Sequence, residues 1–215
     1  YRAKYVFASS SVVYGSAEHE DQMFSEDHEG VVDHLSPRSC YDEGKRFAET
    51  CVETYRQYYD LDGKIGRVFT TYGPRMQLNE GLLIPDFILS AIEGEDLVIY
   101  GEEESDLHHS MCYVSDMVNG LMRLMSTGPE TSVVNLGSDT MYNMEKIADM
   151  IIEMTDSSSS IKYEDSLVFL TKKGKPDLSK AKEKLGWLPL VRLRDGLQKT
   201  IDYTIANKEM FRSLE

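Results

Sequence analysis

Positive charge is scarce in this sequence: 23 Lys and Arg stand against 37 Asp and Glu in 215 residues, a formal net charge of -14. Affinity for a phosphate backbone comes from clustered cations that release counterions, so nucleic acid is excluded as a partner. Any anionic small molecule must then meet a local basic pocket. Cysteine is equally sparse. Cys40, Cys51 and Cys112 are odd in number and lack the C-x-x-C spacing of a zinc or redox site, so they read as reduced, packed thiols in a reducing compartment. No apolar run approaches the roughly 18 residues needed to cross a bilayer, and nothing at the N-terminus resembles a signal peptide. Internal repeats are lacking too, and the short Ser157–Ser160 run is a turn or linker.

What remains is an ordinary globular composition, 41% hydrophobic and 28% charged, enough for one domain or slightly more. Lys4–Ala8 is a short β-prone run leading into Ser9, Ser10 and Ser11, which predicts a buried parallel strand with a functional C-terminal end. Residues 15–37 are polar and acidic without a period and read as a long surface loop. From Arg38 to about Tyr59, Phe47, Ala48, Cys51, Val52, Tyr55 and Tyr59 recur at three- and four-residue steps, the pattern of an amphipathic helix. Further strands are predicted at Lys64–Thr70, Leu97–Tyr100 and Ser132–Leu136. Helices are predicted near Ile84–Ile92, at Val114–Met125, at Met144–Met154 with Asn143 as cap, at Asp177–Leu185 and at Arg194–Asn207. This alternation predicts an α/β fold with a parallel sheet and a smaller mixed C-terminal lobe.

Tyr41 and Lys45 lie four residues apart on the first predicted helix, so their side chains emerge one turn apart on one face. An ammonium near a phenol favours the phenolate, which is what a tyrosine base requires. The spacing alone is equally that of a surface Tyr/Lys pair. The serine cluster adds weight, because ligands of parallel α/β sheets bind outside the carboxyl ends of strands, where Ser10 can meet both side chains. The alternative for the serines is that they cap the sheet edge and bond to backbone.

Three strings, Ala8–Gly15, Ser36–Arg46 and Arg67–Met76, together resemble the extended short-chain dehydrogenases of the NAD-dependent epimerase/dehydratase family. Within that group Pro37–Arg46 (PRSCYDEGKR) is most similar to UDP-glucuronate decarboxylases, also called UDP-xylose synthases. Tyr113–Asp116, Val134–Gly137, Lys175–Asp177 and Leu185–Trp187 extend the match along the whole chain, in order. The resemblance implies the C-terminal portion of a Rossmann-like doubly wound sheet. Residues 1–75 would carry the rest of the dinucleotide-binding domain, and residues 76–215 mainly a substrate lobe interleaved with it. It also implies NAD as cofactor, a UDP-sugar as substrate, Tyr41 as acid/base, Ser10 as its hydrogen-bonding partner, and Lys45 as activating charge and ribose contact. Ser9 and Thr71 would stand on the cofactor side, and Ser10, Thr70, Arg75 and His109 on the substrate side, although Arg75 reads equally as a structural ion pair. The family's glycine-rich phosphate loop belongs upstream of Tyr1, so roughly a hundred residues are expected to be missing relative to the family. Relatives dimerise through the Tyr41 helix and the one after it. A cytoplasmic location is expected, or the Golgi lumen if an upstream membrane anchor exists.

Departures from the pattern are specific. Decarboxylases of the family place Glu two residues after the catalytic hydroxyl, and this chain has Val12; positions that resemble arginine in relatives hold His109 and Leu82. Val12 alone suits a nucleotide-sugar 4-epimerase, and all three changes together suit a catalytically silent structural relative. The His108–His109 pair does not read as a metal site, because adjacent residues rarely ligate one ion. Because the pyrophosphate site belongs to the upstream segment, residues 1–215 alone are expected not to bind NAD tightly. Calorimetry on the isolated chain checks this, and micromolar NAD affinity would contradict it.

Overall fold

The computed structural model describes residues 3–19, 21–78, 81–101, 107–165 and 173–212. In chain order the elements are β1 (Lys4–Ser10), a 3-10 turn (Ser11–Tyr14), β2 (Met23–Phe24), α1 (Ser39–Tyr59), β3 (Asp62–Val68), β4 (Thr71–Tyr72), α2 (Leu83–Glu93), β5 (Leu97–Tyr100) and β6 (His108–Ser110). They continue with β7 (Cys112–Tyr113), α3 (Val114–Ser126), β8 (Val133–Leu136), β9 (Met141–Asn143), α4 (Met144–Thr155), β10 (Ile161–Glu164), β11 (Lys175–Pro176), α5 (Ser179–Leu185) and α6 (Leu193–Arg212). The chain divides into two compact units, one of residues 1–71, 109–141 and 168–190, the other of residues 72–108, 142–167 and 191–215. The first stretch of this unit ends at residue 71, and two later stretches return to it.

In the first unit β1, β3 and β8 form a parallel sheet in that order, with Ser9 opposite Arg67 and Ser10 opposite Val68. Helices α1 and α3 are the crossovers, as parallel pairing requires. α1 stops where Asp60 adopts a left-handed conformation (φ 52°) and its N–H bonds back to Tyr55 O, a turn that Asp tolerates better than most residues. Against α3 and α5 the sheet buries Val134 and Leu136 with Met117, Leu124, Leu185 and Trp187. Beyond β1 the chain turns sharply at Gly15, whose φ of 79° and approach to Val31 leave no room for a side chain: a Cβ there would lie 1.8 Å from Val31 O. A second cluster, of Val13, Tyr14, Ala17, Phe24 and Phe69, packs the following loop onto the sheet.

That loop, read from sequence as structureless, holds the two-residue strand β2, which pairs in parallel with β11. Two residues carry too little periodicity to be seen in advance. In the second unit α2, α4 and α6 pack together beside a parallel pair, β5 and β10, burying Phe87, Ile88, Leu97, Ile147, Ile151 and Leu197. β10 was not expected, because a four-residue strand behind a serine run gives no alternation long enough to read. Asn143 caps α4, accepting from Lys146 N at 3.2 Å.

The three cysteines are free and differ in surroundings: Cys40 is exposed, Cys51 half-buried and Cys112 buried. Burial, helped by the charge of Asp116, pushes the Cys112 thiol up to about 12. At pH 8 its thiolate fraction is roughly one part in ten thousand, so it is chemically inert as well as shielded. Alkylation of the native protein at pH 8, read by mass spectrometry, should label Cys40 and spare Cys112 until denaturant is added. Labelling of Cys112 as fast as Cys40 would contradict this packing.

Candidate active site

Helix α1 places Tyr41, Lys45 and Glu49 one turn apart on a single face. The Lys45 ammonium reaches β1 and donates to Ala8 O at 2.9 Å, two residues before Ser10. It lies 5.1 Å from the centre of the Phe7 ring and 5.7 Å from that of Tyr41. The Arg38 guanidinium stands 5.4 Å from the same Tyr41 ring and is itself held by Asp42, Nε to Oδ1 at 3.2 Å. Two cations thus stand within about 6 Å of the Tyr41 ring, in the range of a cation–π contact. It is 46% exposed, open to a ligand. An ammonium carries three donors. Lys45 spends one on Ala8.

The neighbouring serines serve different ends. Ser10 closes β1, and its Oγ accepts from Val12 N at 3.4 Å at the start of the 3-10 turn. Ser9 is buried and donates to Glu49 Oε1 at 2.5 Å, so the hydroxyl expected on the cofactor side is committed within the protein. Glu49 also binds Arg67 in a fork: Nε reaches both carboxylate oxygens at 3.1 and 3.2 Å, and Nη2 reaches Oε2 at 2.8 Å. Arg67 Nη1 continues to Tyr14 Oη and Glu26 O, both at 2.9 Å, and Tyr14 donates to Asn135 Oδ1 at 2.7 Å. Burial alone works against the Arg67 charge, but the hydrogen bonds and charge of Glu49 outweigh it and hold the guanidinium protonated. Burial likewise pushes the Tyr14 phenol up to about 12, against the opposing pull of Arg67 and Asn135, so Tyr14 is a neutral hydrogen-bonding group.

The structure places Tyr41 and Lys45 on α1 and Ser10 at the end of β1, with Thr70 and Thr71 following β3 in the same unit. Thr71 Oγ1 donates to Phe69 O at 2.9 Å, and Thr70 contributes its carbonyl to Cys112 N at 3.0 Å. His109 lies half-buried on β6, also in the first unit. Arg75 belongs to the second unit, exposed and in a left-handed conformation at φ 70°. Leu82 is the exposed residue before α2, and the acidic run Glu102–Asp106 lies outside the described residues. A cavity of about 1080 Å³ opens between α1 and the loop at 26–30, lined by Glu43, Arg46, Glu49 and Arg67. None of Ser10, Tyr41 and Lys45 lines it.

With this geometry in view, residues 1–200 match the family model described as GDP-mannose 4,6 dehydratase. The chain belongs to the GDP-mannose 4,6 dehydratase family. Among curated relatives it is 41% identical over 201 residues to UDP-glucuronic acid decarboxylase 1 of Xenopus tropicalis, covering 94% of this chain and 47% of that protein. It is 40% identical to UDP-glucuronic acid decarboxylase 5 of Arabidopsis thaliana, covering 91% and 56%. The chain spans about half the length of the curated relatives it matches. The UDP-glucuronic acid 4-epimerase of Bacillus cereus, solved with UDP-glucuronic acid and NAD, superposes with a TM-score of 0.82 at 26% identity, over 99% of this chain and 62% of that one. An epimerase of Methanothermobacter thermautotrophicus gives 0.85 at 23% identity over 98% and 61%, a likeness of fold. The fold is Rossmann-like α/β.

Within this family frame, sequence reading singled out Tyr41 and Lys45 but not the Glu49–Arg67 pair one turn further along α1. Glu49 was visible as the next member of the Tyr41, Lys45 face, and Arg67 as a lone cation at the end of a β-prone run. Each signal is weak alone. Only the parallel register that sets Ser9 beside Arg67 joins them.

Proposed function

We propose that the full-length protein is an NAD-dependent enzyme acting on a UDP-sugar, and that its reaction is decarboxylation of UDP-glucuronate. The observation that carries this reading is identity of about 40% to UDP-glucuronic acid decarboxylases over nine-tenths of the chain, against 26% to the 4-epimerase. The residues fit the cofactor: parallel strands β1 and β3 end side by side, where such sheets bind ligands, and Lys45 retains donors suited to a ribose diol. NAD, when bound, supplies reversible oxidation at C4 of the sugar.

The chain's own groups manage the proton. Tyr41 takes it from the 4-hydroxyl, Ser10 donates a hydrogen bond to the same oxygen, and Lys45 stabilises the phenolate. Oxidation at C4 makes the acid at C5 a β-keto acid. Loss of carbon dioxide then places negative charge on the C4 oxygen, where the hydroxyls of Tyr41 and Ser10 can donate to it. A homodimer through α1 is part of the proposal, supported by Phe47 and Tyr58, 71% and 77% exposed on that helix.

Val12 supports a second reading, a 4-epimerase, because an apolar side chain cannot assist proton transfer at the sugar. The two readings separate on products. Decarboxylation yields carbon dioxide and a UDP-pentose, while epimerisation retains the carboxylate. UDP-glucuronate also brings a diphosphate and a carboxylate to a chain of net charge -14. A bidentate Arg–phosphate contact is worth about 1.5–3 kcal/mol, roughly tenfold to over a hundredfold in affinity. His109 and Leu82, at positions that resemble arginine in relatives, forgo much of that. The full-length protein is therefore expected to release carbon dioxide from UDP-glucuronate slowly, below about 1 per second. The double variant Val12→Glu, His109→Arg should be faster. Release by the parent at about 1 per second or faster would contradict this account of the departures.

A further inference from the structure

We infer that Glu49 is a positioning residue that sets where Tyr41 and Lys45 stand against the end of β1, and that its carboxylate works by reach as much as by charge. The inference rests on the reading of Tyr41 as acid/base given above. Glu49 follows Lys45 by one helical turn, so the two side chains approach the sheet together. Lys45 donates to Ala8 O at 2.9 Å, and Glu49 accepts from Ser9 Oγ at 2.5 Å. Two adjacent residues of β1 are thus tied to two successive turns of α1, immediately before Ser10.

The second arm fixes the same helix to β3. Arg67 meets Glu49 through Nε and Nη2, and both side chains are largely buried, with 15% and 12% of their surface exposed. Arg67 cannot yield, because its remaining nitrogen is held by Tyr14 Oη and Glu26 O. One carboxylate therefore triangulates α1 against two neighbouring strands. A helix is free to slide along or roll on a sheet where packing is apolar and undirected; directed, charge-assisted bonds of this kind remove that freedom. A displacement of 1 Å between a base and its target can cost on the order of a hundredfold in rate, so a tether one turn from Lys45 and two turns from Tyr41 bears on turnover without touching substrate.

Glu49→Asp isolates reach from charge: the carboxylate keeps its sign but retreats by about one carbon–carbon bond, 1.5 Å. In the full-length protein loaded with NAD and assayed with UDP-glucuronate, kcat per bound NAD should fall about ten- to a hundredfold. KM should stay within about threefold, since a tether acting only on Tyr41 leaves ground-state binding unchanged. Ser9→Ala cuts the β1 link while leaving the Arg67 fork intact, and should lower kcat about fivefold in a protein that folds normally. Crystal structures of parent and Glu49→Asp give a readout independent of turnover, in which Tyr41 should be displaced relative to Ala8–Ser10. If both variants turn over within about twofold of the parent, or if Tyr41 and Ser10 superpose within coordinate error, the positioning role is overturned. If the parent itself turns over no UDP-sugar, the acid/base reading falls, and the structural displacement alone decides whether Glu49 positions the helix.

Discussion

The Glu49–Arg67 ion pair is the interaction around which the first unit is organised. Two charges withdrawn from water cost several kcal/mol each, and their attraction compensates only where every remaining donor and acceptor is satisfied. Here the condition is met: the fork is bidentate, Ser9 occupies the carboxylate further, and Tyr14 and Glu26 O take the far side of the guanidinium. Tyr14 passes the network on to Asn135, whose Nδ2 donates to Phe24 O at 2.8 Å and whose backbone N–H reaches Glu26 Oε1 at 2.7 Å. Strands β1, β3 and β8, helix α1 and the loop after β1 are all joined through these groups. Arg46 adds a parallel clamp, donating to Val13 O and Gly30 O at 2.9 and 3.1 Å.

Much of this was legible from residue order, and the rest was hidden for identifiable reasons. The amphipathic spacing from Phe47 to Tyr59 marked α1, and the apolar run before Ser9 marked β1, because both elements are long enough for their periods to show. The Tyr41/Lys45 pair followed from helical geometry and the serine cluster from its place at a strand end. The short strands β2, β10 and β11 were not legible, since their pairing depends on residues far away in the chain. Nor was the inequality of Ser9 and Ser10: as adjacent strand residues they differ in direction, and only the position of Glu49 shows which hydroxyl is committed inward.

The same contrast governs the chemistry. The one-turn spacing of Tyr41 and Lys45 follows from helical geometry alone, whereas the Lys45 bond to Ala8 O depends on how α1 packs against β1. Under the proposed function, substrate choice would depend on charges from separate segments, and Val12, Leu82 and His109 stand where the family resemblance implies charged residues. The proposed function therefore pairs the Tyr41–Lys45 arrangement with few cations at those three positions, in a chain of net charge -14.

The central claim is that Tyr41 carries the transferable proton. It is tested most directly by the turnover of the full-length protein with UDP-glucuronate and NAD, before and after Tyr41→Phe. That substitution removes one oxygen, leaving the ring's contacts with Arg38 and Lys45 and the Lys45–Ala8 bond in place. Turnover should fall by a factor on the order of 100 or more. Turnover near that of the parent would show that the proton leaves by another route and that the geometry around Tyr41 is structural.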